Sequence, residues 1–168
     1  MVVAATGSQG KALENLQGLV AASSSFQTLV GAANAAAAKA HVHMTAAAAP
    51  IAAKRPFALV RQALENGFGY EAVGLGSSHD YREFGRLELL FAIDTPAGRA
   101  VNEGNAEAAF LNIIEPVLED MDALAGAGYL AVRGLTVDIG PVHSHEAEDA
   151  SEGDYWLARC LVDWGLEV

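Results

Sequence analysis

His143-Ser144-His145-Glu146 is the stretch with the clearest capacity for chemistry. Alternate residues of an extended segment point the same way, and two imidazoles beside a carboxylate suit zinc or nickel. The surrounding run from Gly140 to Asp154 carries Glu146, Glu148, Asp149, Glu152 and Asp154 with no large apolar residue after Val142, so a solvated acidic loop is the plainer reading. His41-Val42-His43 repeats the spacing without a nearby carboxylate. Cys160 is the only cysteine, which excludes an intrachain disulfide and a cysteine-zinc cluster. A nucleophilic thiol needs exposure and a base, whereas Cys160 stands in the alternation Trp156, Ala158, Cys160, Val162, Trp164 and is expected to be buried and inert.

The stretch from Gly74 to His79 lacks the lysine and the spacing of a phosphate loop, and no nucleophile-elbow pattern occurs. Glu115, Glu119, Asp120 and Asp122 are expected to form a solvated helix face rather than a working pair of carboxylates. No catalytic, cofactor-binding or metal site is therefore expected, and the chain does not read as an enzyme.

The elements that would position these residues centre on 105–125. Phe110, Ile113, Ile114, Val117, Leu118, Met121 and Leu124 fall at three-four spacing along one helical face, which needs a sheet to cover it. Pro116 predicts a kink in that helix. A first helix is expected from Ser8 or Gln9, with Ser8 as cap and Leu13, Leu16, Leu19 and Val20 as its buried stripe. Ser23-Ser24-Ser25 should end it, and a second helix should follow through Phe26, Leu29 and the alanine-rich run 32–40, weakened internally by Gly31. A single kinked helix from Gln9 to Lys39 is the alternative.

Residues 41–54 read as a surface connector, interrupted by Pro50. Strands are expected over 57–63, 86–93, 129–137 and 155–164, the last central to the sheet or covered on both faces. Residues 66–85, with Gly67, Gly69, Gly74, Gly76 and Gly85, read as a long interaction loop carrying Tyr70, His79 and Tyr81. The acidic excursion offers His143 and His145 in the same role. Phe110, Ile114, Val117, Met121, Trp156 and Trp164 are the candidate core or subunit-contact anchors. The fold class expected is α+β: a mainly antiparallel sheet of about four strands packed by one long helix, with N-terminal helices over 8–40 and a sheet-and-helix core over 55–168, all in a single domain.

The chain has 168 residues, enough for one well-cored domain. Ten Lys and Arg against 21 Asp and Glu give a formal net charge of -11, the reverse of a phosphate-gripping surface. The N-terminus lacks a signal-peptide pattern, and the uncharged run 15–38 is too often interrupted by polar residues to span a membrane. A soluble protein without membrane contact is expected.

The element order now meets particular phrases: LENLQGLVAASSSFQTLVGAANAAAAKAHVH, RPFALV, GRLELLFAI, AEAAFLNIIEPVLEDMDALAG, GYLAVRGLTV and YWLARCLVDWG. Together they resemble the small α/β neck proteins of long-tailed bacteriophages and prophages, especially tail terminator proteins, over nearly the whole chain. The resemblance implies a virion protein, assembled in the host cytoplasm as a ring, typically of six copies. Such a ring caps the tail tube, joins it to the head connector and lets DNA pass without specific binding. Another neck ring, such as a connector component, is the neighbouring alternative. Alternatives of other classes are a small-molecule enzyme using His79 or His143 and a monomeric adaptor that binds through a strand edge.

Overall fold

The computed structural model describes residues 7–44, 55–63, 69–73, 80–94, 103–126, 132–141 and 155–167. The first helix, α1 (Ser8–Ala22), buries Ala12, Leu16, Leu19 and Val20. Its N-cap is Gly7, with no side-chain cap, so Ser8 lies inside the first turn instead of capping it. Ser23 both ends α1, through its N–H on the Leu19 and Val20 carbonyls, and starts α2 (Ser24–Val30), whose Phe26 N–H donates to the Ser23 Oγ. Two helices result, not one kinked one.

Gly31 closes α2 in the left-handed conformation, φ 68°, rather than weakening a helix interior as the sequence suggested. The alanine run yields only the short α3 (Ala35–Ala38), capped by the Asn34 side chain, and a 3-10 turn over Lys39–His41. Alanine favours helix locally but offers little to bury, and only Ala38 is buried here.

Among the described residues six strands follow: β1 (Val42–Met44), β2 (Phe57–Gln62), β3 (Gly69–Val73), β4 (Asp80–Asp94), β5 (Val132–Pro141) and β6 (Tyr155–Glu167). The long helix α4 (Glu103–Gly126) stands between β4 and β5 and runs through Pro116. The fold is α+β. Strand order is β1-β2-β4-β6-β5, with β3 on the same side of β4 as β2. Among the described residues every pairing is antiparallel except β1 with β2.

Two expectations give way here. The supposed connector contributes β1, and the supposed loop 66–85 contains β3 and the first part of β4, paired from Gly69 with Phe84 to Val73 with Asp80. Tyr70 and Tyr81 are accordingly strand residues, opposite Glu83 and Ala72. Gly69 opens β3 and Gly85 lies within β4, so neither belongs to a structureless excursion. Most of the acidic excursion lies outside the described residues, although its first two positions, Gly140 and Pro141, finish β5.

One cluster unites the layers. Leu16 and Val20 of α1, Phe26 of α2 and Ile114, Val117, Leu118 and Met121 of α4 meet Ala58, Val60, Leu87, Leu89, Phe91, Ile93, Ala158, Cys160, Val162 and Trp164 of the sheet. Phe26 and Phe91 rings meet at a tilt, centroids 6.2 Å apart. Each fully buried aliphatic or aromatic side chain contributes about 1.5–3 kcal/mol in transfer free energy, and the period-two sheet pattern together with the three-four helical pattern brings these side chains to one place.

Candidate interaction surfaces

The opposite sheet face is built around a buried carboxylate. Glu88 is 1% exposed and sits between Arg61 of β2 and Arg159 of β6. Arg61 Nε lies 2.5 Å from Glu88 Oε2, and the Arg159 guanidinium pairs with Oε1. Arg86 and Asp163, directly opposite in the β4–β6 register, form a two-pronged pair with Nε–Oδ1 2.5 Å and Nη2–Oδ2 2.9 Å. A buried carboxylate is tolerable only when opposite charge and hydrogen bonds replace its water. Phe57, Leu59, Leu90 and Ala92 on the same face are also buried.

On the helical side, α4 reaches the α1–α2 junction through Asp120. Ser23 Oγ, Ser24 Oγ and the Ser25 N–H each donate to Asp120 Oδ2 at 2.9 Å. The Ser25 N–H, opposed by some desolvation and joined by the serine hydroxyls, brings the Asp120 pKa down from 3.8 to about 2. Asp120 is thus a tie between elements, not part of a merely solvated face. Glu115, Glu119 and Asp122 are exposed. The signal that could have found the tie is the serine triplet at a helix junction, three donors in need of one acceptor.

Trp164 was a candidate anchor, and it is buried against Gly85 across the β4–β6 ladder. A Cβ at Gly85 would lie 2.6 Å from Trp164 Nε1 and 2.8 Å from Gln9 Oε1, so glycine makes room for both side chains. Ile114, Val117 and Met121 are likewise core. Trp156 stands on β6 opposite Ile93 and Pro141, and Phe110 on α4. Cys160 is buried, and burial pushes its thiol up to about 12. His43 lies in β1, its ring edge-on to Phe57 at 5.5 Å, while His41 ends the 3-10 turn. His79, His143 and His145 lie outside the described residues. Among the described residues no group of three His, Cys, Asp or Glu is placed to hold a metal ion.

At β1 the Gln17 side chain donates to the Val42 carbonyl at 2.7 Å, so part of that short edge is already occupied by α1. On the same side β3 pairs only with β4 among the described residues, and on the other side β5 pairs only with β6. Gln9 of α1 sits at the rung of Gly85, and Gln17 at that of Val42, Ala58 and Phe91. The β3–β4 hairpin therefore continues past the N-terminal end of α1. Among the described residues no helix is long and apolar enough to cross a membrane.

No protein-family model matches the chain, and no curated protein matches it either.

Proposed function

We propose that this protein is a structural ring component of a phage neck, a tail terminator that caps the tail tube and joins it to the head connector. The observation that carries the reading is the shape of the sheet. Its central strand β4 has 15 residues and its β4–β6 ladder runs from Arg82 with Glu167 to Asp94 with Tyr155, so the β3–β4 hairpin reaches beyond α1. At about 3.4 Å per residue β4 spans roughly 45–50 Å. A small subunit with such an arm is suited to touching its neighbours in a closed assembly.

Charge supports the same reading. A protein of net charge -11 repels a polyphosphate, which suits a passage that DNA must traverse without adhering. The partners on this reading are other copies of the chain, the tube protein and a connector protein.

Light scattering over a range of concentrations, alone and with purified tail tubes, tests the proposal. A closed oligomer, formed alone or only on tubes, is expected, together with tubes that no longer elongate. A particle that stays monomeric at every concentration and ignores tubes would overturn it. Binding to connector but not to tubes would move the protein to another ring of the neck.

A further inference from the structure

Two strands at opposite borders of the sheet carry complementary rows of charge. On the face that holds Glu88, the β5 border begins the row Arg133, Asp163, Arg86. The β3 border begins the row Glu71, Arg82, Glu167 on the same face. Each row alternates in sign within the subunit, and the Arg86–Asp163 pair shows the alternation made. Laid edge to edge, Glu167, Arg82, Glu71 of one copy and Arg133, Asp163, Arg86 of the next alternate without a break.

We propose that β5 of one copy pairs with β3 of a second copy, extending the sheet from subunit to subunit with Glu71 opposite Arg133. Strand direction permits it. β3 runs antiparallel to β4, while β5 runs parallel to β4 because both are antiparallel to β6. Two copies with the same face upward therefore bring β3 and β5 together antiparallel, the more stable pairing.

β5 covers the rungs from Gly85 to Ile93 of β4. β3 offers the rungs from Asp80 to Phe84. Pairing Glu71 with Arg133 aligns the rung of Arg82 in one copy with that of Arg86 in the next, a stagger of about 13 Å along the strands. In this register Val132, Arg133, Leu135 and Thr136 of β5 face Ala72, Glu71, Tyr70 and Gly69 of β3, and the pairing is confined to these four rungs because β1 stands from the rung of Leu89 onward. The contact is heterologous, one border to the other, and such contacts build rings when the rotation closes. The inference rests on the ring reading above and names the surfaces that make the ring.

The decisive experiment is cysteine cross-linking in the full chain under mild oxidation. Cys160 is buried and does not interfere. The double variant Glu71→Cys/Arg133→Cys is expected to give a ladder of covalent oligomers, and each single variant alone none. Cross-linking by Arg133→Cys alone would mean a symmetric β5–β5 contact and overturn the proposal. So would a double variant that forms rings without cross-links, an outcome that leaves the neck reading intact.

Charge reversal gives a second readout. Like charges opposite each other cost up to about 1 kcal/mol, so Glu71→Arg or Arg133→Glu should weaken each subunit contact roughly two- to fivefold. The double reversal should restore it, and failure to restore assembly in a folded double variant would overturn the assignment. Cross-linked rings that leave tubes uncapped would support the interface while defeating the terminator reading.

Discussion

At Asp120 a single carboxylate holds the α1–α2 junction to α4 by accepting from Ser23, Ser24 and Ser25. Its folded pKa, about 2, lies below the ordinary 3.8, so its contribution is present above 3.8 and is lost as pH falls through about 2. Asp120→Asn is expected to remove that part of the acid dependence and to cost about 1 kcal/mol near neutral pH, the usual scale of a lost helix cap. Urea unfolding at several pH values checks both. Helical periodicity alone did not reveal this role, because its acceptor and its donors are 95 to 97 residues apart in the chain. Cys160 was legible, since a thiol in the middle of an apolar alternation has only the core to face. Trp164 is a buried core residue whose indole lies against Gly85.

Among the elements, those long enough to repeat their period were the readable ones. The helix α4 and strands β2, β4, β5 and β6 each carry several turns or alternations of pattern. β1 has three residues and β3 five, too few for a period to stand out from flanking alanine or glycine. The glycines of 66–85 argued for a loop, yet Gly85 lies within β4 for a packing reason that only the ladder reveals. With Cβ space closed by Trp164 and Gln9, Gly85→Ala should destabilise by about 1–3 kcal/mol, the range for overpacking. The loss should shrink in a Trp164→Leu background, where the indole is gone. A shift of the urea midpoint at constant slope would measure it, and equal losses in both backgrounds would discard the steric explanation.

For the whole molecule, the α+β class followed from joining a helical stripe to alternating strands, and the charge balance argued against a nucleic-acid grip. The borders of the sheet were beyond sequence reasoning, because which strand lies outermost depends on long-range order. That order has a consequence for biosynthesis. β6 follows β5 in the chain but lies between β4 and β5, so the two earlier strands have no direct contact in the sheet. Its residues Ala158, Cys160, Val162 and Trp164 also belong to the central cluster. A nascent chain that has released everything through residue 154 therefore still lacks the middle of its sheet, and folding must wait for residues 155–167 to emerge. A fragment ending at residue 154 is expected to show no cooperative unfolding transition and to recover one when a peptide of residues 155–167 is added. Cooperative melting of the fragment alone would refute this dependence. Copies on neighbouring ribosomes are thus kept from pairing through a finished sheet until synthesis has passed β6, which separates making the subunit from building with it.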